Sequence, residues 1–240
     1  MVTKQGVVIV LLIILLAGHG YVFIFNKGIP VEELNTAELR TGDVLFCYNN
    51  PIYERWRTGE PTLHYLLASL LIRNIGILKE HHPYFHMTVA VRDGDRSLLC
   101  DFTNTECFDV IKKKMVTGPM IVDAKVLDSY DGIVYLFRYR GPEIKFDLSD
   151  LANNIDQRQL RIPENHLDVI LCHCLKLKKK KYGDGSCPDM AEIVLNYLGF
   201  NNEITLMANS SDILSIIRPT HDYNPVILSN VCHKQIYSNS

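Results

Sequence analysis

The chain has 240 residues, of which 47% are hydrophobic and 22% are charged, so it has the composition of a globular protein with one sizeable core or two small ones. Its formal net charge of −2 gives no basis for general nucleic-acid binding. The seven cysteines are odd in number and form no CxxC pair, which excludes a regular disulfide framework or a zinc ribbon. We expect neither a metal ion nor another cofactor.

The N-terminal part of the chain has the pattern of a membrane anchor. Residues 6–25 are almost entirely apolar and contain no acidic or basic residue except His19. About 20 apolar residues match the hydrocarbon thickness of a bilayer. A cleaved signal peptide is the competing interpretation, but the apolar run continues through Phe25, past the small residues that would form a cleavage site. We expect an uncleaved single-pass anchor in residues 1–28, of either orientation, and one folded domain in residues 29–240.

A strand and an apolar helix are predicted before residues 86–102, and another strand is predicted after them. The turn signal Gly42-Asp43 precedes the β-rich run Val44–Tyr48, which predicts a strand. Residues 62–79 have the pattern of a helix that is apolar on most of its surface, and it is expected in the core or, as the alternative, on the membrane. Residues 132–141 alternate between apolar and polar positions and predict a second strand.

A β-hairpin is predicted between these strands. His86–Val91 and Ser97–Phe102 are both β-rich, and the dipeptide Asp93-Gly94 between them is a strong signal for a two-residue hairpin loop. If that dipeptide forms the loop, Arg92 pairs with Asp95 and Val91 pairs with Arg96, and this sets the register of the two strands.

In this register His86 lies directly opposite Asp101 on the neighbouring strand. Facing Cβ atoms are about 4.5–5.5 Å apart, so the carboxylate could orient the imidazole and stabilise its charged form. A bulge would change the register and bring Thr103 or Asn104 opposite the histidine instead. The alternative interpretation is a surface His–Asp pair with a small effect on stability.

A cysteine marks the start of the helix predicted near residue 190. A loop of small and polar residues, 182–186, leads to Cys187. Pro188 is favoured at the first helical position, Asp189 suits the positive end of the helix dipole, and Gly199 is typical of the residue that ends a helix. A thiol at a helix N-terminus is favoured as the thiolate, which makes this cysteine a candidate nucleophile. The alternative is a buried structural cysteine.

These features occur in a recognisable order: a strand after Gly-Asp, a histidine strand with a carboxylate on the next strand, and a helix that begins with cysteine. The order resembles the circularly permuted, NlpC-like branch of the papain-like cysteine hydrolases, which includes the lecithin:retinol acyltransferase relatives and a poxviral virion protein. The resemblance lies in Leu39–Phe46, His86–Val91 and Gly185–Val194, and spans roughly residues 38–215. It implies an α+β fold in which a small antiparallel sheet packs against helices. Pro188 departs from the pattern, because members more often have Ser, Ala or Thr there.

The resemblance implies a membrane-anchored cysteine hydrolase or acyltransferase. Cys187 would be the nucleophile, His86 the base, and Asp101 the residue that fixes the imidazole, a position where members usually carry His, Glu or Asn. The thiolate would cleave an amide, thioester or lipid ester through an acyl-enzyme, with the backbone N–H of the cysteine facing the oxyanion. The expected partners are the lipid bilayer and an acyl-containing substrate, which is a lipid, a lipidated protein or a peptide. The anchor and the lysines at 178–181 favour the lipid classes.

Two other functions remain open from the sequence. The first is a catalytically inactive, membrane-tethered structural or binding protein, for example in a viral envelope, that keeps the same fold. The second is thiol–disulfide exchange at Cys187, against which the lack of a nearby resolving cysteine in the sequence counts.

Overall fold

The computed structural model describes six stretches of the chain. They are residues 31–33, 35–48, 86–130, 133–162, 185–200 and 223–229. The predicted anchor in residues 1–28 and the predicted apolar helix in residues 62–79 lie outside these stretches. No helix within the described stretches is both long and apolar enough to cross a bilayer.

The described strands form a single mixed sheet. They are β1 (Val31–Glu33), β2 (Val44–Tyr48), β3 (His86–Asp93), β4 (Arg96–Asp109), β5 (Lys114–Asp123), β6 (Ile133–Tyr139) and β7 (Tyr223–Ser229). Their order across the sheet is β1-β7-β6-β2-β3-β4-β5, and only β1 and β7 pair in parallel. The described helices are α1 (Leu148–Gln157), α2 (Cys187–Tyr197) and two 3-10 helices (Thr36–Glu38 and Ala124–Ser129). The α+β arrangement with a largely antiparallel sheet is therefore confirmed.

Both faces of the central strands are buried. On one face α1 and α2 pack against the sheet, so that Leu151 and Met190 join a core cluster with Val89. On the other face Ala90 belongs to a second cluster that includes Leu127 of the 3-10 helix after β5. Successive residues of β3 thus belong to different core clusters, because successive side chains of a strand point to opposite faces of the sheet. Burial on both faces also explains why the central strands have nearly continuous apolar sequences.

The hairpin of β3 and β4 forms, but in a register that differs from the prediction. Asp93 lies opposite Arg96, so Gly94 and Asp95 form the loop, and the predicted loop Asp93-Gly94 is wrong. Gly94 has a φ of 59°, the left-handed conformation that glycine adopts at the first central position of a type II′ turn. Arg96 and Asp93 also form an ion pair of 2.8 Å across the turn. Because each β3 residue meets a partner two positions later than predicted, all side chains keep their predicted faces.

β4 and β5 continue well past the beginning of β3. Thr103 pairs with Gly118 and Cys107 pairs with Val116, so three residues of β4 oppose one residue of β5 between these pairs. Such a bulge bends the strands and increases their twist. We call residues 103–118 the β4–β5 arm. Neither β5 nor the extension of β4 was predicted, because the bulge interrupts the alternation of apolar and polar residues.

A buried carboxylate fixes the turn at the end of this arm. Asp109 Oδ1 accepts hydrogen bonds from the backbone N–H groups of Ile111 and Lys112, at 2.8 and 2.7 Å. Its Oδ2 accepts the Ile121 N–H at 3.1 Å. These bonds satisfy donors that the turn would otherwise leave unpaired, so the turn has one defined conformation.

The Gly-Asp motif before β2 has a structural role. Asp43 is fully buried; its Oδ2 accepts the Arg40 N–H at 3.0 Å and its Oδ1 accepts the Tyr139 N–H at 2.8 Å. Burial raises the pKa of Asp43, although these two hydrogen bonds and the nearby Arg138 oppose the shift. Gly42 precedes it with a φ of 93°, a conformation that favours glycine. The motif therefore joins the beginning of β2 to the end of β6.

Candidate active site

The candidate nucleophile lies at the start of α2. The helix begins at Cys187, one residue before Pro188, which was predicted as the first helical position. Ser186 is the N-cap, and its hydroxyl donates a hydrogen bond to the carboxylate of Asp189 in the first turn. Gly199, with a φ of 88°, follows the helix end as predicted. The helix buries most of its first two turns, so the half-buried thiol is held at a fixed position on the sheet.

The loop that leads to this helix packs directly on β4. The Gly185 N–H donates to the Arg161 carbonyl at 2.8 Å. A Cβ atom at Gly185 would overlap the Phe102 ring and would lie 3.1 Å from Leu160 Cβ. Only glycine allows this close approach, and Phe102 is the residue next to Asp101 on β4. The loop that carries the cysteine therefore contacts the strand that carries the carboxylate.

The predicted histidine and carboxylate form an ion pair. His86 Nε2 lies 2.7 Å from Asp101 Oδ1, and the two side chains are 27% and 17% exposed. The paired positions of β3 and β4 end at Val89 and Cys100, so in the continued register the two residues are diagonal neighbours rather than directly opposite. Diagonal neighbours on one face remain within reach of long side chains. If the pairing of β3 with β4 continued, the Phe102 N–H would point toward β3. It donates instead to Asp101 Oδ1 at 2.7 Å.

The thiol of Cys187 completes the group by a hydrogen bond to His86. Asp101 contacts the imidazole at Nε2. Burial by itself lowers the pKa of His86, but the charges and hydrogen bonds of Asp101 and Cys187 outweigh it and raise the pKa well above its usual value. The structure thus brings all three predicted side chains together, with the imidazole between the other two. This is the arrangement in which a histidine holds a proton for a cysteine nucleophile.

A second cysteine lies beside this group and was not identified from the sequence. Cys47 of β2 is buried and pairs directly with His86 across the strands. Burial raises the pKa of Cys47 to about 12, with the charge of His86 lowering it and those of Asp101 and Cys187 raising it. It therefore remains a neutral thiol, and it lies next to His86 on the neighbouring strand. Only the pairing of β2 with β3 reveals it, since 38 residues lie between Cys47 and His86 in the sequence.

A cleft in the described part of the chain lies away from these residues. It has a volume of about 320 Å³ and lies between the β4–β5 arm and the end of α1, with Thr117 and Leu160 in its wall. Lys112 Nζ and Asp156 Oδ1, 2.8 Å apart, form an ion pair at its edge. Among the described residues, no group of three or more His, Cys, Asp or Glu side chains is placed to hold a metal ion.

The Asp101→Asn variant is expected to lose stability in a pH-dependent way. The raised pKa means that native His86 keeps a proton that the unfolded chain releases near pH 6.5. This stabilisation is fully present below about pH 6.5 and is lost as the pH rises through the native pKa. We expect the difference in unfolding free energy between wild type and variant to be largest below about pH 6.5 and to decrease toward alkaline pH. Urea denaturation at several pH values measures it, and a difference that does not change with pH would contradict it.

Gly185→Ala is expected to destabilise the protein by about 1–3 kcal/mol, because the new methyl group displaces the Phe102 ring. The Phe102 N–H donates to Asp101, so alkylation of Cys187 should also become slower. Urea denaturation and the rate of reaction with iodoacetamide measure the two effects. Gly94→Ala is the control, because a methyl group there meets no atom within 4 Å and adds only backbone strain far from the site. Equal alkylation rates in both variants would contradict the proposed contact.

Comparison with known proteins adds no relative to this description. The chain matches no protein-family model and no curated protein sequence. The chemistry of the site therefore has to be argued from its own geometry.

Proposed function

We propose that the protein is a cysteine hydrolase or acyltransferase with a permuted papain-like fold, in which Cys187, His86 and Asp101 form the catalytic site. The observation that carries the proposal is the double engagement of His86, which contacts Asp101 at 2.7 Å and hydrogen-bonds to Cys187. A histidine that served only as a surface partner of Asp101 would not require a hydrogen bond to a thiol as well.

The order of the elements supports the fold assignment. The Gly-Asp strand β2 lies beside the histidine strand β3, and β4 with the carboxylate follows it in the sheet. α2 packs on these strands with its cysteine end beside His86. These are the relations that the resemblance to the permuted papain-like hydrolases implies. Residues 1–28 would be the membrane anchor and residues 29–240 the catalytic domain.

The residues support the following reaction. His86 holds the proton of Cys187, and the thiolate attacks the acyl carbonyl, so that a C–S bond forms and the carbonyl oxygen becomes an oxyanion. The Cys187 N–H at the start of α2 faces this charge, whereas Pro188 has no N–H to contribute. His86 then protonates the leaving group as its bond to carbon breaks. Water or another acceptor gives a proton back to His86, attacks the thioester and releases the acyl group.

The proposed substrates are lipids or lipidated proteins rather than free peptides. The apolar run at residues 6–25 would hold the domain at a bilayer, and the lysines at 178–181 would favour an anionic surface. A peptide substrate would give the same acyl-enzyme chemistry, so the acyl group itself has to be identified by experiment.

A structural or binding protein with an inactive Cys–His pair is the second candidate. The observation that favours it is the position of the 320 Å³ cleft, which none of the three candidate catalytic residues lines. Thiol–disulfide exchange has less support, because the neighbouring thiol of Cys47 is buried and its pKa is raised to about 12.

Competition between cysteines for iodoacetamide tests the proposal. Cys107 is the internal reference, because it is partly exposed but its pKa is raised by burial and by the charge of Asp101. At pH 6.5 we expect Cys187 to react at least about tenfold faster than Cys107, since the thiolate is the reactive form. Peptide mass spectrometry after short reaction times measures both rates. Equal rates would favour the inactive structural protein.

A further inference from the structure

The tip of the β4–β5 arm carries an exposed apolar pair. Phe108 and Met115 lie directly opposite each other on β4 and β5, and each is 53% exposed. Facing residues of an antiparallel pair point to the same side, so the two side chains form one patch. Among the described residues, Val126 is the other large hydrophobic residue with comparable exposure, at 43%, and it follows β5 at the end of the strand away from the tip. Large apolar side chains in such positions often mark an interaction site.

Lysines surround this pair. Lys112 and Lys113 lie in the turn between the two strands and Lys114 begins β5, and the last two of these lysines are exposed. Lys112 forms its ion pair with Asp156 of α1. Apolar side chains flanked by lysines are typical of surfaces that enter a membrane interface, where the ammonium groups remain among the anionic headgroups.

The turn of the arm folds back on the outer edge of β5, where the Val110 N–H donates to the Ile121 carbonyl at 2.8 Å and Asp109 Oδ2 accepts the Ile121 N–H at 3.1 Å. β3 begins at His86, whereas β4 passes Asp101 and continues to Asp109. Ile121 pairs with Cys100, the residue before Asp101 on β4, so the turn of the arm lies near the end of the sheet that holds the candidate active site.

We propose that the arm tip is a membrane-docking site, which inserts Phe108 and Met115 into the interface of a bilayer that contains anionic lipid. The part of the proposal that concerns acyl substrates depends on the proposed function, because docking would bring the candidate active site to acyl groups in that bilayer. A protein partner fits less well by area. Two half-exposed side chains of this size offer roughly 200 Å² of apolar surface, whereas a stable protein interface buries about 800 Å² on each partner.

Tryptophan quenching in vesicles tests the docking directly. The full chain would be reconstituted in phosphatidylcholine vesicles with about 30 mol% phosphatidylserine, with or without brominated lipid, as Phe108→Trp, Met115→Trp or the control Val126→Trp. After subtraction of the wild-type signal from Trp56, we expect blue-shifted emission and quenching at the two tip positions and neither effect at position 126. If the tip positions are quenched no more than the control, the tip does not enter the bilayer.

Charge reversal tests the role of the lysines. Each lysine near an anionic surface contributes about 1 kcal/mol, which corresponds to about a fivefold change in the docking equilibrium. The variant Lys113→Glu/Lys114→Glu in the Phe108→Trp background should therefore lose most of its quenching with phosphatidylserine present. Quenching that is equal with and without phosphatidylserine and unchanged by the reversal would contradict the proposal. Alkylation of Cys187 in detergent tests the proposed function separately, because it requires no membrane.

Discussion

Replacing His86 with glutamine is expected to slow the alkylation of Cys187 at pH 6 by roughly 10- to 100-fold. Without the imidazolium, the cysteine loses the positive charge that favours its thiolate, and an ordinary thiol with a pKa of about 8.5 is less than about 1% ionised at pH 6. Glutamine retains a donor for Asp101 and a similar volume, so the fold around the site should persist.

The pH dependence of this effect separates a loss of activation from a general distortion. At pH 9 an ordinary thiol is itself largely ionised, so the rates for wild type and variant should converge. Cys107 in the same molecules provides the reference. At each pH its rate should be the same in the wild type and in the variant. Rate constants from timed alkylation and peptide mass spectrometry give the comparison. Equal rates for Cys187 at pH 6 would show that His86 does not activate the thiol.

Replacing Asp43 with alanine is expected to reduce the unfolding free energy by about 3–5 kcal/mol. The change removes the acceptor of the Arg40 and Tyr139 N–H groups, which is a fully buried carboxylate, and with it the negative charge near Arg138. Because burial raises the pKa of Asp43, the native state binds a proton more readily than the unfolded chain, and the contribution of Asp43 decreases as the pH rises through the native pKa. Urea denaturation at pH 7 measures the total loss.

Asp95→Ala is the matched control for this substitution, because Asp95 is exposed in the hairpin loop. We expect it to change the unfolding free energy by less than about 0.5 kcal/mol. A loss below about 1 kcal/mol in Asp43→Ala would contradict the role assigned to the Gly-Asp motif.

Local signals were sufficient to predict the parts of the candidate site. The β-rich runs predicted β2 and β3, and Pro188 and Gly199 indicated a helix whose start the sequence located to within one residue. The predicted register was wrong, yet His86 and Asp101 still meet, because the shift is even and leaves both side chains on their predicted face. The proximity of His86 and Asp101 therefore required only that both side chains lie on the same face, and not that the register be correct.

Other features depend on contacts between distant parts of the chain. The proximity of Cys47 to His86 results from pairing between β2 and β3, and the approach of Gly185 to Phe102 results from packing of the helix on the sheet. Neither leaves a periodic pattern in the sequence. α1 was overlooked although its signal was present, since Leu148, Leu151 and Ile155 have helical spacing.

The loop of the hairpin shows why register is difficult to predict. Both Asp93-Gly94 and Gly94-Asp95 are dipeptides that form two-residue hairpin loops. The choice between them depends on the glycine φ of 59° and on the ion pair between Arg96 and Asp93, which exists only in the observed register. Composition alone does not separate these two loops.

The most direct test is to identify an acyl-enzyme on Cys187. The wild-type protein would be mixed with lipids from native membrane extract, quenched with acid at short times and mapped by peptide mass spectrometry, with Cys187→Ala as the control. We expect an acyl group on Cys187 that forms and then disappears with time, and no such group in the variant. A protein that gains no acyl group at this cysteine, or gains it equally at the other six, would contradict the assignment of Cys187 as the nucleophile.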